Sequence, residues 1–341
     1  MQDTQVLMGH GSGGLMMKRI IDEVFLQSYG SDFLREGNDA ASLPVPAPDE
    51  RVVVSTDSFV VTPHFFPGGD IGHLAVCGTV NDVATAGAIP KYLTCAFILE
   101  EGFAMDDLQR ICASMAATAQ EAGVALVTGD TKVVNRGAGD GVYINTTGIG
   151  FAPASRMLGG QYCQPGDAVL VSGTLGDHGI TIMSCREQLG FTADLQSDAA
   201  PLNHLVAAVL EAAPHTRCFR DPTRGGLAST LNELAEQSGV DFMVDEEAVP
   251  VKSAVRGACE MLGYDVLQVA NEGKMVVVVP QEEAQAALAA MKANKYGADA
   301  ALIGEVLEAA PDRKPRVSLR TAFGSTRILD MLVGEQLPRI C

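Results

Sequence analysis

Three aspartates stand in apolar surroundings, where a carboxylate needs a partner or a function. Asp57 and Asp130 each follow a short run of β-branched residues, and Asp82 follows Asn81 within a stretch of small apolar residues typical of a helix. Burial of an unpaired neutral amide alone costs roughly 2–7 kcal/mol. Carboxylate oxygens that converge from loops bind Mg²⁺, which also keeps water and phosphate ligands. A cap or turn role is the simpler interpretation of each aspartate alone, so the predicted magnesium site of Asp57, Asp82 and Asp130 depends on the set.

Residues 9–14 form a glycine-rich segment before an apolar, helix-like stretch. The spacing fits G-x-G-x-x-G, but few residues precede it and no clear βαβ unit follows, which disfavours a dinucleotide site. We instead predict a loop whose backbone amides close over phosphate groups, formed by Gly11, Ser12, Gly13 and Gly14. A plain N-terminal turn is the alternative. The P-loop pattern G-x-x-x-x-G-K-S/T does not occur in the sequence.

Further acidic residues occupy loop or helix-start positions. Asp39 lies in a Gly-Asn-Asp-Ala segment and is a fourth candidate of the same kind. Asp221 shortly precedes two glycines at the start of a predicted helix, where free N–H groups can donate hydrogen bonds to an anion. The alternative is that Asp221 is an ordinary helix cap. Glu272 stands just before the apolar strand predicted at 275–279, and is either a general base or a salt-bridge partner of Lys274.

Eight cysteines occur, and no two lie within four residues of each other, which excludes C-x-x-C zinc or redox motifs. Seven are interpreted as small buried hydrophobes. Cys341 differs because it is the last residue, on a segment that cannot be the middle of a packed element, where a thiol is normally mobile and exposed. Its position is either an accident or that of a working sulfur carried on a flexible arm.

The chain has 341 residues and a formal charge of -18, with 24 Lys and Arg against 42 Asp and Glu. The length predicts two domains, and 47% hydrophobic with 19% charged residues exclude a disordered or fibrous chain. So acidic a protein repels phosphate backbones and anionic lipids, which argues against binding nucleic acid or a membrane. No apolar stretch approaches the roughly 18 residues of a membrane helix. Since the N-terminus also lacks a secretory signal pattern, we expect a cytoplasmic protein.

Apolar periodicity predicts the elements that position these residues. Leu108, Ile111, Cys112 and Met115 keep helical spacing and predict a helix over 106–122. Two more helices and four buried strands alternate along the chain, which indicates an α/β or α+β fold of two layered domains. The helices are predicted at 227–237 and 281–292, and the strands at 52–55, 124–128, 168–172 and 275–279.

Glycine and proline between 153 and 166 indicate a domain boundary. The prediction is an N-terminal domain over 1–158, a C-terminal domain over 159–310 and a mobile tail over 311–341. The tail begins with a polar, proline-rich linker. Its last residues, about 25 in number, span up to roughly 80 Å when extended, enough to bring Cys341 to either domain or to a neighbouring subunit.

These residues lie in segments that resemble the HypE family, the carbamoyl dehydratases of nickel–iron hydrogenase maturation, over essentially the whole chain. The ending Pro338-Arg-Ile-Cys341 is the most specific, since an enzyme that acts only on small molecules has no use for it. More distantly, the acidic motifs are similar to the aminoimidazole ribonucleotide synthetase superfamily, whose thiamine-phosphate kinases and selenophosphate synthetases have no cysteine tail. The other matching segments are 10–14, 55–58, 65–69, 81–82, 128–133, 170–179, 221–226 and 271–274.

The resemblance implies two α/β domains of the aminoimidazole ribonucleotide synthetase-like type, with the N-terminal sheet pairing across a homodimer and ATP in a cleft near that interface. It also implies a reaction. The carbamoyltransferase HypF would place a carbamoyl group on Cys341, and this protein would use ATP to dehydrate the thiocarboxamide to a thiocyanate. Cyanide would then pass to iron on the HypC–HypD complex.

The resemblance further implies a role for each candidate residue. Cys341 would carry the substrate, Glu272 would act as the base, and Lys132 would neutralise the transferring phosphoryl group or the imidate oxygen. Three alternatives remain open: a small-molecule kinase or synthetase of the same superfamily with Cys341 incidental, a non-catalytic iron or nucleotide scaffold, and a Rossmann oxidoreductase. Contacts to ATP, partly through Mg²⁺, are expected from Gly11, Ser12, Gly13, Gly14, Asp39, Asp57, Asn81, Asp82, Gly129, Asp130, Thr131 and Asp221.

Overall fold

The computed structural model describes residues 3–12, 14–35, 40–186, 195–331 and 340–341. The strands of the first domain are β1 Glu50–Phe59, β2 Phe65–Phe66, β3 Gly69–Asp70, β4 Ile89–Glu100, β5 Ala125–Val134 and β6 Val142–Pro153. Four of them form a sheet in the order β1-β6-β4-β5, in which β4 and β5 run parallel and the other neighbours antiparallel. Strands β1 and β5 are therefore the opposite edges of this sheet.

Helices pack on one face of the sheet. The two long ones follow local signals: the Asp70 carboxylate accepts the first free N–H groups of one helix, and Gly123, with φ of 72°, ends the other. Their apolar sides join the sheet in one core. The helices are α1 Gly14–Ile20, α2 Leu26–Tyr29, α3 Asp32–Arg35, α4 Ile71–Thr85 and α5 Met105–Ala122, with a 3₁₀ helix Met8–Gly11 and a π-helical turn Ile21–Phe25.

The other face of the first sheet is open. Along β1 the side chains alternate, so Val53 packs near α4 while Val52 and Val54 are 51% and 60% exposed. Ile98 on β4 is 43% exposed. The run that includes Val52–Val54 was expected to be a buried strand. In the single chain only one face of this strand is buried, because helices cover only one face of the sheet.

The second domain is built on a seven-stranded sheet in the order β13-β12-β9-β11-β7-β10-β8, whose strands are β7 Asp167–Val171, β8 Cys218–Arg220, β9 Asp241–Asp245, β10 Val276–Pro280, β11 Ala301–Leu307, β12 Val317–Arg320 and β13 Thr326–Ile328. Strands β7 and β10 are buried along their whole length. Helices accompany the sheet, and the elements predicted near 168–172, 227–237, 275–279 and 281–292 are confirmed. The helices are α6 Asp177–Arg186, α7 Asn203–Ala212, α8 Gly226–Ser238, α9 Ser253–Leu262 and α10 Ala284–Ala293, with 3₁₀ turns Gly160–Tyr162, Glu246–Ala248, Val266–Gln268 and Gln281–Glu283.

The end of the chain differs from the predicted mobile tail. Strand β12 pairs in parallel with β9, and β13 pairs with β12, so 317–328 belongs to the second sheet. The proline-rich linker is also attached, since Arg313 pairs with Asp241 on β9. Strands β12 and β13 are short and lie between turn residues, so their sequence has too little periodicity to predict a strand. The predicted boundary at 158 falls between the last strand of the first sheet and the first strand of the second.

In the part of the chain that the structure describes, the helices are too short or too polar to cross a bilayer.

Candidate active site between the domains

A cavity of about 740 Å³ lies between the two domains. The first domain lines it with β1 and α4, and the second with residues 220–224, the side of α8 and Glu272. The last residue of the chain, Cys341, lies in the same cavity. Residues from three distant parts of the sequence therefore meet here.

Four of the predicted acids face this cavity. Asp57 lies inside β1 and not at a strand end as expected, because the strand continues beyond the apolar run. The same is true of Asp130 inside β5, which does not face this cavity. The carboxylate of Asp82 on α4 accepts a hydrogen bond from the Ser55 hydroxyl at 2.8 Å. Asp221 follows β8, and Glu272 lies shortly before β10, so each acid is held by a separate element.

Burial raises the pKa of all four carboxyl groups, and the charge of a neighbouring carboxylate adds to this rise for Asp82, Asp221 and Glu272. Burial raises the pKa of Asp57 and of Asp221. Burial, together with the charge of Asp221, raises the pKa of Asp82 to about 7. Burial, followed by the charges of Asp221, Asp198 and Asp57, raises the pKa of Glu272 well above its usual value. The cavity therefore holds more negative charge than its own groups neutralise.

This donor set fits a cation such as Mg²⁺, which takes carboxylate oxygens readily. Within the described residues, the buried Oε1 of Glu272 has no hydrogen-bond partner, which also leaves room for a ligand. However, no three His, Cys, Asp or Glu side chains converge closely enough in those residues to form a complete metal site. Of the predicted triad, one chain brings only Asp57 and Asp82 to this cavity, because Asp130 lies at the opposite edge of the first sheet.

The pKa of Asp82 predicts how stability depends on pH. Between its usual value of 3.8 and about 7, the folded protein keeps a proton that the unfolded chain releases, so raising the pH through this window lowers the free energy of unfolding. We expect the Tm of the ligand-free protein to fall between pH 5 and pH 8, and Asp82→Asn to make that fall shallower. Differential scanning fluorimetry across this range measures both. The exposed Asp312→Asn is the control, and an equal slope in all three proteins would contradict the assignment.

The end of the chain is held on both sides of Cys341. Ile340 is only 3% exposed, and its carbonyl oxygen lies 2.8 Å from Nε2 of His178. A terminal oxygen of Cys341 accepts a hydrogen bond from the N–H of Val60 at 3.1 Å. The thiol and the carboxyl group of Glu272 line the same cavity, and burial followed by the charge of Glu272 raises the pKa of Cys341. The sulfur and the predicted base therefore share one cavity.

A polar framework positions Glu272. Its N–H donates to Asp198 Oδ1 at 3.0 Å, and Asp198 pairs with Lys274 at 3.1 Å in a buried ion pair. Lys274 is thus the partner of Asp198 and not of Glu272. The side chain of Asn81, predicted to contact the cofactor, instead donates to the carbonyl of Ala200 at 3.0 Å and accepts from the N–H of Leu202. Its amide joins the two domains, and we correct its role accordingly.

Gly273 allows this framework to close. A Cβ on Gly273 would lie 1.6 Å from the carbonyl oxygen of Asp198, so Gly273→Ala must displace the Glu272 loop. We expect a lower Tm, and loss of any reaction that depends on Glu272. The matched control is Gly257→Ala in α9, where the added Cβ meets nothing within 4 Å and should stabilise the helix by about 0.5–1 kcal/mol. A Gly273→Ala protein with unchanged Tm and activity would contradict this close contact.

The remaining predicted residues gather at the other edge of the first sheet. Asp130 and Lys132 form an ion pair at 2.7 Å on β5, and the Lys132 ammonium holds the pKa of Asp130 below its usual range. Because β5 and β1 are opposite edges, Asp130 and Lys132 lie outside the cavity that holds Asp57. Lys132 and Glu272 of one chain therefore do not line the same cavity.

The glycine-rich segment lies at this same edge. A Cβ on Gly11 would come 2.4 Å from the backbone nitrogen of Val133, so Gly11 packs directly on β5. Ser12 donates its hydroxyl to the carbonyl of Met8. Gly14 begins α1 with φ of 75°. Gly13 and Asp39 lie outside the described residues.

Gly129 and Thr131 flank Asp130 on β5. A Cβ on Gly129 would lie 2.1 Å from the carbonyl oxygen of Cys95 on β4, so only glycine fits there. Thr131 is 3% exposed. Both residues line a second hollow of about 540 Å³ beside the N-terminal helices, which is separate from the cavity of Cys341.

Three residues of the site had no predicted role. Arg220 and Arg224 flank Asp221 and provide the positive charge of the cavity wall, where Arg220 also pairs with Glu233. His178 holds the Ile340 carbonyl. The two arginines could have been found from their places beside Asp221. Nothing in the sequence links His178 to the C-terminus, because that contact joins residues 162 positions apart.

Comparisons with known proteins agree with this architecture. Residues 37–152 match the AIR synthase related protein, N-terminal domain, and residues 164–313 match the AIR synthase related protein, C-terminal domain. AIR denotes aminoimidazole ribonucleotide, so the predicted fold class is confirmed.

The chain is 54% identical to the carbamoyl dehydratase HypE of Azotobacter vinelandii, over 100% of this chain and 98% of the relative. A crystal structure of a hydrogenase maturation protein HypE in complex with ATP aligns with a TM-score of 0.93 at 50% identity, over 98% of this chain and 99% of that one. A HypE–HypF complex aligns with a TM-score of 0.80 at 47% identity, over 92% and 99%.

Proposed function

Because this chain belongs to the HypE family of carbamoyl dehydratases, we propose that it uses ATP to dehydrate a carbamoyl group carried on its own Cys341. The product is a thiocyanate, which supplies the cyanide ligand for the iron of a nickel–iron hydrogenase. The observation that carries this proposal is the position of Cys341, which lines an acidic cavity between the domains together with Glu272. A small-molecule kinase would have no use for that arrangement.

The chemistry requires a better leaving group and a base. The carbamoyl oxygen attacks the γ-phosphorus of ATP, the bond from γ-phosphorus to the bridging oxygen breaks, and ADP leaves. The C–O bond then breaks with loss of phosphate, and the nitrogen gives up two protons as the C≡N bond forms. Glu272 takes one proton from that nitrogen, since its carboxylate lines the same cavity as the sulfur and its raised pKa makes it a strong base once ionised. The leaving phosphate takes the other proton. The net change is thiocarboxamide plus ATP to thiocyanate, ADP, hydrogen phosphate and one proton.

The cavity also needs positive charge before it accepts a triphosphate. Asp57 and Asp82 would contribute ligands to Mg²⁺, whose shell phosphate oxygens and water would complete, and the ion would supply charge neutralisation for the phosphates. Arg220 and Arg224 add to that positive charge from the second domain. The charges of neighbouring carboxylates add to the raised pKa values of Asp82 and Asp221, which supports this assignment because a bound cation relieves such repulsion.

We propose that the enzyme is a homodimer joined through the open face of the first sheet. The exposed Val52, Val54 and Ile98 on that face support this arrangement, since apolar patches of this kind mark interfaces. If the two-fold axis runs along the strands, β5 of the partner lies over β1. Asp130, Lys132 and the glycine-rich segment of the partner then reach the nucleotide in the cavity that holds Asp57, which explains why these groups are separated within one chain.

The partners follow from the reaction. A HypF-type carbamoyltransferase loads Cys341, and the alignment with a HypE–HypF complex supports this step. The HypC–HypD complex, which carries the iron, receives the cyanide. We place the reaction in the cytoplasm, where thiols such as Cys341 remain reduced.

Intact-mass measurement of the carbamoylated protein tests the proposed reaction. With MgATP, the C-terminal peptide should lose the mass of one water, and it should keep its mass when nucleotide is omitted. Cys341→Ser is the control, because it cannot be loaded. A carbamoylated wild-type peptide that keeps its mass in the presence of MgATP would refute the dehydration.

A further inference from the structure

His178 is a fully buried residue whose ring contacts the C-terminal segment. Nε2 lies 2.8 Å from the carbonyl oxygen of Ile340, and Nδ1 lies 2.8 Å from the hydroxyl oxygen of Ser197. The edge of the Phe66 ring packs against the imidazole. Both ring nitrogens are therefore used, and one of them holds the residue before the reactive cysteine.

The partners determine the tautomer of this ring. A carbonyl oxygen can only accept, so Nε2 carries the proton and donates to Ile340, while Nδ1 accepts from the Ser197 hydroxyl. Burial lowers the pKa of His178, which keeps the ring neutral. Ser197 is itself held, because its N–H donates to the carbonyl of Pro67 in the first domain at 2.8 Å. The ring is thus fixed from both domains.

The contact matters because of where it lies on the chain. The Ile340 carbonyl group is bonded to the nitrogen of Cys341. The oxygen that accepts from Val60 belongs to the carboxyl group bonded to the Cα of Cys341. The two hydrogen bonds fix the backbone on both sides of the cysteine, and the buried Ile340 side chain adds an apolar anchor. Only rotation about the bond from Cα to Cβ then remains to direct the sulfur.

We propose that His178 is a positioning residue for the reaction at Cys341, in which its Nε2–H holds the Ile340 carbonyl so that the sulfur faces Glu272. The role in the reaction rests on the function proposed above. Loss of this hydrogen bond releases the chain end from the cavity, so the strength of the contact sets how often Cys341 is available to partner proteins. A histidine that served only the core would use its nitrogens on groups of its own domain, and this one holds the end of the chain.

Alkylation of the thiols tests the proposal without requiring any dehydration activity. The full chain is treated with iodoacetamide in the absence of nucleotide, and peptide mass mapping follows Cys341 and Cys185. Cys185 is partly buried on α6, the helix that carries His178, so its rate reports on the integrity of that helix. In His178→Leu, which has no donor, we expect Cys341 to react roughly three- to tenfold faster and Cys185 to be unchanged, the factor that loss of one ordinary hydrogen bond produces.

His178→Gln is the matched variant, because its amide offers both an N–H donor and a carbonyl acceptor. It should restore slow alkylation of Cys341, and its single-turnover dehydration should be faster than that of His178→Leu. An unchanged rate at Cys341 in His178→Leu, or an equal acceleration at Cys185, overturns the proposal. If the alkylation results are as expected but the wild-type protein loses no water, the reaction is refuted and the contact that holds the chain end stands.

Discussion

Replacement of Glu272 by glutamine is expected to slow dehydration by roughly 10²–10⁴-fold, the usual contribution of a general base. Glutamine has nearly the same shape, but it cannot act as a base. Because the pKa of Glu272 is raised, the wild-type rate should increase with pH as this carboxyl group ionises, and the glutamine variant should lose that increase. Single-turnover mass spectrometry on the carbamoylated proteins between pH 6 and pH 9 measures both effects.

Two controls separate catalysis from folding. Glu283→Gln makes the same chemical change outside the cavity, at a residue that contacts His215, and should leave the rate within a factor of about two, because Glu283 does not line the site. The Tm of Glu272→Gln at pH 8 should equal or exceed that of the wild type, since a buried carboxyl group with a raised pKa destabilises the fold when ionised. Dehydration within tenfold of the wild-type rate would mean that another group is the base.

The second large effect is recovery of activity in mixed dimers. Asp57→Asn and Asp130→Asn should each reduce dehydration to below about 1% of wild type, because each removes charge that holds the metal–nucleotide complex. In a heterodimer of the two variants, one cavity carries both defects and the other carries none. Heterodimers purified through two different affinity tags should therefore show roughly half the wild-type activity.

The control for this experiment combines two variants of the same edge. A heterodimer of Asp57→Asn with Asp82→Asn has one defect in each cavity and should remain inactive. Recovery in this control, or absence of recovery in the pairing of Asp57→Asn with Asp130→Asn, would contradict the proposed dimer. Full activity of Asp130→Asn alone would show that β5 does not contribute to the site.

Much of the chemistry could be predicted from local patterns. The helix at 106–122 was evident because its apolar residues keep the period of a helix that packs on one side, and the observed α5 spans Met105–Ala122. Asp57, Asp82, Asp221 and Glu272 were recognised as acids near apolar elements, and they do meet in one cavity. A terminal cysteine needs no structure to be noticed. These features are local, and neighbouring residues suffice to detect them.

Only the tertiary structure decided how these residues are grouped. Asp57, Asp82 and Asp130 look alike in sequence, yet the order β1-β6-β4-β5 separates Asp130 from the other two. The side-chain amide of Asn81 is hydrogen-bonded to the backbone of the other domain, and His178 is hydrogen-bonded to a carbonyl group 162 residues away in the sequence. Sheet order and domain packing arise from contacts between distant segments, which the periodicity of any one segment does not encode. The sequence by itself therefore determined which groups could do chemistry, and the fold determined which of them share a site.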